Sequence, residues 1–451
     1  MADYAKIFKA YDIRGVVPDE LDEGVAEAVG AAFARLTGAQ AIVTVHDMRT
    51  SSGPLADAFA RGVTSCGADV VDGGLGSTDM LYYASGHLGM PGAMLTASHN
   101  PAKYNGIKLC WAGAKPVGQD TGLAELRELA SGWVRSTAST PGTVRGRDLL
   151  SGYAGYLKTL VDLSGIRPLK VVVDAGNGMA GHTVPKVFQN LPIELVPLYF
   201  ELDGSFPNHE ANPIDPENMI DLQQMVTKSS ADIGLAFDGD ADRCFVVDER
   251  GEIVSPSVLT ALIAVRELKR EPGATVIHNL ITSRAVPEIV AGHGGTAVRS
   301  RVGHSFIKAV MAERGAVFGG EHSGHFYFRD FWFADSGMLA ALHVLAALGG
   351  QDGPLSELLA SYAKNVMSGE INSEVSDQAA ATARVREAFA GRPGISADEL
   401  DGLTISAPAW WFNLRPSNTE PLLRLNVEAE DDATLAKVTD EVLHIVREDA
   451  L

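Results

Sequence analysis

The stretch ADIGLAFDGDADRCFVVD occupies residues 231–248 and places an acidic loop between two short apolar runs. The runs ADIGLAF and CFVVD have the length and composition of β-strands. Three carboxylates of the loop, Asp238, Asp240 and Asp242, stand two residues apart, so an extended loop can turn their oxygens toward one point. Three close carboxylates require a cation, and oxygen ligands favour Mg²⁺ over zinc. The alternative interpretation is a solvated acidic turn.

An EF-hand, which binds calcium, is another interpretation of the same loop. The three aspartates and Glu249 fall at EF-hand loop positions 1, 3, 5 and 12. Position 6 of an EF-hand needs a glycine for its sharp turn, and here that residue is Arg243. The flanking runs also resemble strands and not helices. We therefore reject the EF-hand.

Further β-rich runs alternate with helical patterns on both sides of this loop. The runs are AIVTVHD, ADVVDGG, GAMLTA, LKVVVDAG and ELVPLYF, and the helical patterns span 23–36, 122–130, 149–163, 258–268 and 336–348. This alternation predicts α/β layers. Turn-rich segments divide the chain into three α/β domains at 1–145, 146–251 and 252–368, followed by a smaller α+β domain at 369–451.

The composition restricts the class of partner. The 451 residues carry a net charge of −20, from 57 acidic and 37 basic residues, which argues against binding to nucleic acid or to an anionic membrane. A small anionic substrate needs only a few convergent basic groups. The three cysteines are widely spaced and indicate neither disulfides nor a zinc site, and no apolar run reaches about 18 residues. We expect a cytoplasmic protein.

Two other loops carry polar groups suited to chemistry. The stretch LTASHNPAKYNGIK at 95–108 presents Ser98 either as part of an ordinary turn or as a nucleophile, although it lacks the G-x-S-x-G elbow. The stretch GGEHSGH at 319–325 can offer Glu321 and Ser323 to vicinal hydroxyls of a sugar. His325 and His304 are candidate functional histidines only through their neighbouring loops.

A fourth polar loop lies near the C-terminus, in NLRPSNTEP at 413–421. Arginine binds phosphate in a bidentate manner, and serine, asparagine and threonine add further donors. The candidate phosphate ligands are Arg415, Ser417, Asn418 and Thr419. A bare turn is the alternative interpretation, and a cation site and a sugar-type loop in the same chain favour phosphate binding.

A glycine pattern in KVVVDAGNGMAG suggests another class of protein. Gly176, Gly178 and Gly181 follow an apolar run and match the dinucleotide fingerprint, which would make the chain an NAD-dependent dehydrogenase. Such a match is weak by itself. A backbone turn that packs a helix on a strand explains the glycines equally well.

The loops TASHNP, DGDADR, GEHSGH and RPSNTEP together resemble the four characteristic loops of the α-D-phosphohexomutase family. They occur in the same order and cover nearly the whole chain, and KAYDIRG, NGIK and FPNHEANP are similar to further segments of that family. The greatest similarity is to the bacterial phosphomannomutase/phosphoglucomutase group. Two positions depart from it: Asp79 follows Thr78 where many relatives have Thr-Pro, and Ile281 stands where some relatives have a lysine.

The resemblance implies three related α/β domains with mixed sheets sandwiched by helices, and a smaller C-terminal α+β domain, around a central cleft. It implies that Ser98 is phosphorylated and completes a Mg²⁺ shell with Asp238, Asp240 and Asp242. Arg14 and Arg243 would lie near the reacting centre, with Lys108, His304 or His325 as the proton shuttle. Glu321 and Ser323 would bind sugar hydroxyls. The substrate phosphate would be bound by Arg415, Ser417, Asn418 and Thr419.

The implied reaction is the reversible interconversion of mannose 1-phosphate and mannose 6-phosphate, and of glucose phosphates as well, through a hexose 1,6-bisphosphate. The partners would be small hexose phosphates, without nucleic acid or membrane, and the protein a monomer or homodimer. Phosphoglucomutase and phosphoglucosamine mutase are alternatives within the family. An NAD-dependent dehydrogenase and a non-catalytic sugar-phosphate binding protein are alternatives from other classes.

Overall fold

The computed structural model describes residues 3–135, 138–417 and 422–448. Within these residues the chain forms one seven-stranded sheet followed by three five-stranded sheets. The first three sheets are mixed and the last is antiparallel. This arrangement confirms the predicted fold class. No helix of the described residues is long and apolar enough to cross a membrane.

The first sheet and its helices come from the N-terminal third of the chain. Its strands are β1 (Ile13–Val16), β2 (Ala41–His46), β3 (Asp69–Leu75), β4 (Gly92–Leu95), β5 (Tyr104–Trp111), β6 (Lys115–Pro116) and β7 (Val144–Gly146). Its helices are α1 (Tyr4–Ile7), α2 (Glu23–Thr37), α3 (Ser52–Ser65), α4 (Thr78–Leu88) and α5 (Leu123–Ser131). The strand order is β1-β5-β4-β2-β3-β7, with β6 paired to β5.

The second sheet contains the two strands that flank the acidic loop. Its strands are β8 (Leu169–Asp174), β9 (Ile193–Leu198), β10 (Ile233–Phe237), β11 (Cys244–Asp248) and β12 (Ile253–Val254), in the order β12-β11-β10-β8-β9. Its helices are α6 (Leu150–Leu160), α7 (Ala180–Phe188) and α8 (Ile220–Ser229). Strands β10 and β11 flank the acidic loop, as the sequence predicts and as an EF-hand would not allow.

The third sheet is followed by two helices that lead into the last domain. Its strands are β13 (Thr275–Asn279), β14 (Thr296–Ser300), β15 (Phe318–Gly320), β16 (Phe326–Phe328) and β17 (Ala334–Asp335), in the order β14-β13-β15-β16-β17. Its helices are α9 (Pro256–Arg270), α10 (Ala285–Gly292), α11 (His304–Arg314), α12 (Gly337–Gly349) and α13 (Leu355–Leu359).

The fourth sheet belongs to the smaller C-terminal unit. Its strands are β18 (Val366–Glu374), β19 (Ser396–Asp398), β20 (Leu403–Ser406), β21 (Trp410–Pro416) and β22 (Leu422–Ala429), in the order β18-β22-β21-β20-β19. Its helices are α14 (Gln378–Phe389) and α15 (Asp432–Val446). The predicted domain limits at residues 145, 251 and 368 stay a proposal.

The ends of the helices follow from local side chains. Helix α2 begins after Asp22, whose carboxylate accepts a hydrogen bond from the Val25 amide at 2.8 Å. It ends at Gly38, whose φ of 59° is the left-handed conformation that glycine adopts without steric cost. Helix α12 begins after Ser336, whose hydroxyl accepts from the Leu339 amide at 3.0 Å. Both starts have the capping residues that a sequence can reveal.

The buried apolar residues form one large core shared by the first three units, a separate core within the first unit, smaller clusters in the second and third units, and a separate core for the fourth. Successive residues of β2 point to opposite faces of the first sheet. Ile42 packs with α2, α3 and α5 on one face, whereas Val43 packs on the other face into the core shared with the second and third units. The fourth unit has its own core around Phe389 and Phe412. A small cluster that includes Ile281 and Trp411 connects it to the third unit.

Candidate active site

Three of the four motif loops occupy equivalent places in their sheets. In each of the first three sheets a central strand is parallel to its two neighbours, and one neighbour then turns into an antiparallel strand. The turning points are β4–β5, β10–β11 and β15–β16. They carry the Ser98 loop, the acidic loop and the GEHSGH loop respectively. The three loops are far apart in sequence, but each follows the equivalent strand of its own sheet.

Ser98 lies at the tip of the first loop and reaches into the second unit. Its φ is 51°, an uncommon conformation for a residue other than glycine. Its Oγ donates to Oδ2 of Asp238 at 2.7 Å and lies 3.2 Å from Nδ1 of His99. Burial and the nearby guanidinium of Arg243 lower the pKa of His99 well below its usual value, so this ring is neutral. The serine hydroxyl is thus oriented by the acidic loop.

Arg49 holds the backbone of the Ser98 loop, and sequence reasoning did not identify it. Its guanidinium is buried and donates to the carbonyl oxygens of Ser98, Asn100, Pro101 and Tyr104, at 2.8, 2.6, 3.0 and 2.9 Å. Asp47 lies 3.3 Å from its Nε and also accepts from the Thr96 hydroxyl at 2.6 Å. One arginine therefore links four carbonyl groups of one loop. An arginine three residues after the end of β2 carries no pattern that would reveal this.

The acidic loop forms a cluster with the features of a cation site. Asp238, Asp240 and Asp242 are buried, and one carboxylate oxygen of each lies within 4.8 Å of the others. The Oδ1 atoms of Asp240 and Asp242 are buried without a hydrogen-bond partner. Burial, together with the two neighbouring carboxylates, raises the pKa of Asp238 to about 7, although Arg243 opposes this. The orphaned oxygens and the oxygen-only donor set fit a divalent cation such as Mg²⁺.

Two basic side chains neutralise part of this cluster. Lys108 lies on β5, and its Nζ contacts Oδ2 of Asp240 at 2.6 Å and Oδ2 of Asp242 at 2.7 Å. Burial lowers the pKa of Lys108, but the two carboxylates outweigh burial and raise that pKa above its usual value. Arg243 donates from Nε to Oδ2 of Asp238 at 2.9 Å. The two side chains place positive charge against the carboxylates, which suits charge stabilisation.

Arg14 and His325 border the same centre without touching Ser98 directly. Arg14 donates to Asp12 at 2.6 Å and to the side chain of Asn100, two residues beyond the serine. Nε2 of His325 lies 3.6 Å from Oδ1 of Asp242. His304 is the first residue of α11, and its side chain lies outside the described part of the structure.

The sugar-type loop contains one half-buried and one buried candidate ligand. Oγ of Ser323 lies 3.2 Å from Nδ1 of His325, which connects this loop to the acidic cluster. Glu321 is buried; it accepts from the Tyr327 hydroxyl at 2.6 Å and from the Gly303 amide at 3.1 Å. Its carboxylate is therefore oriented by the third unit before any ligand binds.

The candidate phosphate loop lies at the turn between β21 and β22. Arg415 donates to Glu370 at 3.1 Å, and the same carboxylate lies 3.2 Å from Nη1 of Arg424, which sequence reasoning missed. Nη2 of Arg424 also donates to Oγ of Ser417 at 3.3 Å. Asn418 and Thr419 lie outside the described residues. The guanidinium groups of Arg415 and Arg424 thus both contact the carboxylate of Glu370, and Arg424 also contacts the Ser417 hydroxyl.

The fourth unit faces the sugar-type loop at this place. Burial lowers the pKa of His322 in the GEHSGH loop, and the carboxylate of Glu370 partly offsets that effect by charge attraction. Glu370 therefore acts on a ring of the third unit.

The glycines of the dinucleotide-like pattern are explained by packing. A Cβ on Gly178 would lie 2.7 Å from the carbonyl oxygen of Gly239 in the acidic loop, and a Cβ on Gly181 would lie 2.3 Å from that of Phe200. Only glycine permits these approaches. The second interpretation of the motif, a turn that packs a helix on a strand, accounts for the residues.

Similarity to known proteins extends over nearly the whole chain. Four domain families of phosphoglucomutase/phosphomannomutase match in order: α/β/α domain I at residues 5–131, α/β/α domain II at 151–251, α/β/α domain III at 255–365 and the C-terminal domain at 370–445. A phosphomannomutase of Escherichia coli is 40% identical, over 98% of this chain and 99% of that protein.

Two further relatives agree with this result. A protein named phosphohexose mutases from Xanthomonas campestris pv. campestris is 42% identical, over 98% of this chain and 99% of its own length. The crystal structure of a phosphoglucomutase/phosphomannomutase family protein from Burkholderia thailandensis superposes with a TM-score of 0.90 at 34% identity, covering 100% of this chain and 98% of that chain. The chain belongs to the phosphoglucomutase/phosphomannomutase family and is therefore a phosphohexomutase, an enzyme of intramolecular phosphoryl transfer.

Proposed function

We propose that this phosphohexomutase interconverts mannose 1-phosphate and mannose 6-phosphate, and accepts glucose phosphates as well, with Ser98 as the phosphorylated residue. The observation that carries the proposal is the hydrogen bond of 2.7 Å from the Ser98 hydroxyl to Asp238, within a buried cluster of three carboxylates. The names of the relatives at about 40% identity support mannose as the sugar.

Ser98, Asp238, Asp240 and Asp242 would hold a Mg²⁺ ion. When bound, such an ion neutralises charge on a transferring phosphoryl group and orients it. Arg243 contributes a fixed positive charge next to Asp238, and Lys108 does so next to Asp240 and Asp242. Preorganised charges of this kind stabilise the transition state of phosphoryl transfer without reorganisation.

The transfer itself requires two reciprocal steps. In the first, the bond between phosphorus and the Ser98 Oγ breaks and a bond from phosphorus to the free sugar oxygen forms, while the proton of that sugar hydroxyl is removed and a proton is delivered to Ser98 Oγ. The product is a hexose 1,6-bisphosphate. In the second, after the bisphosphate has reversed its orientation, the Ser98 hydroxyl loses its proton and Oγ forms a bond to the other phosphorus, while the bond from that phosphorus to the sugar oxygen breaks and the sugar oxygen takes a proton. Lys108, His304 and His325 are the candidates for moving these protons.

Recognition of the substrate would use the other two loops. Glu321 and Ser323 would bind sugar hydroxyls, and their orientation by Tyr327 and His325 supports this role. Arg415, Ser417, Asn418 and Thr419 would bind the phosphate that is not transferred. A phosphate site that accepts the phosphate at either end of the sugar permits the bisphosphate to bind in both orientations. We also infer that the protein acts in the cytoplasm as a monomer or homodimer.

The test combines a kinetic comparison with identification of the phosphorylated residue. Purified protein is incubated with hexose 1,6-bisphosphate, digested and analysed by mass spectrometry. Initial rates are then measured on mannose 1-phosphate, glucose 1-phosphate and glucosamine 1-phosphate with Mg²⁺. We expect phosphate on Ser98 and the highest kcat/KM with mannose 1-phosphate. Phosphate on another residue would overturn the mechanism, and a preference for glucosamine 1-phosphate would overturn the assigned substrate.

A further inference from the structure

Asp79, near the start of α4, joins three units of the protein although none of the motif loops contains it. Its side chain is fully buried. It accepts hydrogen bonds from Ser77 of its own loop, from the Tyr153 hydroxyl of α6 at 2.7 Å and from the Ser336 hydroxyl at the start of α12 at 2.6 Å. These donors belong to the first, second and third units respectively.

The buried carboxylate of Asp79 opposes any movement of its three hydroxyl donors relative to one another. Among the described residues no basic side chain forms an ion pair with Asp79. A buried carboxylate without hydrogen bonds is strongly unfavourable, and here three hydroxyl groups supply them. Any movement of α6 or α12 away from α4 would therefore leave the carboxylate unsatisfied.

The acidic loop lies directly between the two helix starts that Asp79 connects. On one side Thr78, the neighbour of Asp79, donates from Oγ1 to Oδ2 of Asp240 at 2.5 Å and from its amide to the Asp240 carbonyl at 3.0 Å. On the other side Gly337, the neighbour of Ser336, packs on Arg243: a Cβ at Gly337 would lie 2.6 Å from the Arg243 carbonyl carbon. Residues next to the junction thus contact both halves of the loop.

We propose that Asp79 is a positioning residue for the metal-binding loop: through Tyr153 and Ser336 it holds the starts of α4 and α12 in place, and these in turn hold Asp240 and Arg243. The inference rests on the proposed role of Asp238, Asp240 and Asp242 in cation binding. Three close carboxylates repel one another in the absence of a cation. A loop that is not held from both sides relaxes apart, and cation affinity falls.

The experiment measures Mg²⁺ binding directly, in the full-length protein and without substrate, by isothermal titration calorimetry and by the Mg²⁺-dependent shift in Tm. The variants are Tyr153→Phe and Ser336→Ala, which each remove one hydroxyl, and Asp79→Ala, which removes the acceptor. Asp57→Ala, on the exposed side of α3, is the matched control. The same variants are assayed for KM toward mannose 1-phosphate at saturating Mg²⁺.

We expect the Kd for Mg²⁺ to rise about threefold or more in each hydroxyl variant and about tenfold in Asp79→Ala, with the KM for sugar phosphate nearly unchanged. The control should bind Mg²⁺ as the wild type does. A lower Tm with an unchanged Kd for Mg²⁺ in all variants would mean that Asp79 only supports the fold, and would overturn the inference. If Asp79→Ala does not fold, the two hydroxyl variants decide. Absence of Mg²⁺ binding in the wild type would instead refute the proposed cation site, and this inference with it.

Discussion

The hydroxyl of Ser98 donates to Oδ2 of Asp238 at 2.7 Å, across 140 positions of sequence and from one unit of the protein to the next. The same carboxylate oxygen accepts from Nε of Arg243 at 2.9 Å. A candidate nucleophile, a candidate cation ligand and a guanidinium therefore share one atom. This arrangement connects the chemistry of the first loop to the charge of the second.

Ser98→Ala should abolish mutase turnover, with a loss of more than about a thousandfold in kcat, because it removes the oxygen proposed to carry the phosphoryl group. The unfolding free energy should change by less than about 2 kcal/mol, since one hydrogen bond is lost. Ser131→Ala, at the exposed end of α5, is the control and should keep wild-type activity. Residual activity within tenfold of the wild type would remove Ser98 from the nucleophile role.

Arg49→Lys should slow turnover although it preserves the charge. An ammonium group has no planar fork and cannot serve the four carbonyl oxygens that Arg49 bonds, so the Ser98 loop loses its fixed conformation. We expect kcat to fall about 10- to 100-fold, and the unfolding free energy to fall by about 2–4 kcal/mol in urea denaturation. Arg61→Lys, at a half-exposed surface pair, should cost less than about 0.5 kcal/mol. Equal effects of the two substitutions would contradict the role of Arg49.

Arg415→Ala should weaken substrate binding more than it slows chemistry. A guanidinium bonded to phosphate contributes about 1.5–3 kcal/mol, which corresponds to a rise in KM of roughly 10- to 100-fold. Steady-state kinetics on mannose 1-phosphate measures this change. Arg386→Ala, on the exposed face of α14, should leave KM unchanged. An unchanged KM in Arg415→Ala would refute the phosphate site.

Glu370→Gln should have the opposite effect and tighten binding. The carboxylate of Glu370 lies between Arg415 and Arg424, where it competes with a phosphate for the same donors. Removing its charge should lower KM about two- to tenfold, because the incoming phosphate no longer displaces an anion. Glu374→Gln, exposed on the same strand, is the control. A higher KM in Glu370→Gln would show that the carboxylate orients the arginines for binding.

Asp79 should make the stability of the protein depend on pH. Burial raises the pKa of Asp79 from 3.8 to about 7, against hydrogen bonds from three hydroxyl groups, and Asp242 adds to the rise. Because the folded state binds this proton more tightly than the unfolded state, the stabilisation is complete below about pH 4 and is lost as the pH rises to about 7.

The comparison of Asp79→Asn with the wild type isolates this effect from other titrating groups. In urea denaturation without Mg²⁺, the wild type should lose about 2–3 kcal/mol more unfolding free energy between pH 5 and pH 8 than Asp79→Asn does. Parallel pH profiles of the two proteins would show that the pKa of Asp79 is close to its ordinary value.

The motifs that carry the chemistry are contiguous, and for that reason they can be recognised without coordinates. The spacing of Asp238, Asp240 and Asp242 in a short loop between two strands places their carboxylates together by local geometry alone. The alternation of β-rich and helical patterns likewise predicts the α/β layers, because the apolar residues of a strand or an amphipathic helix recur with the period of that element.

The contacts that position these motifs join residues that are far apart in the sequence. Arg49 meets the Ser98 loop 49 residues later in the chain, Thr78 meets Asp240 across 162 residues, and Ser336 meets Asp79 across 257. No spacing or periodicity relates such pairs, because only tertiary packing brings them together, within the first unit for Arg49 and between units for the other two pairs. The fold class, the candidate nucleophile and the acidic cluster can thus be predicted from contiguous stretches of sequence. How these groups are held becomes visible only in the folded protein, since the hydrogen bonds that hold them join residues that lie far apart in the chain, either within the first unit or between units.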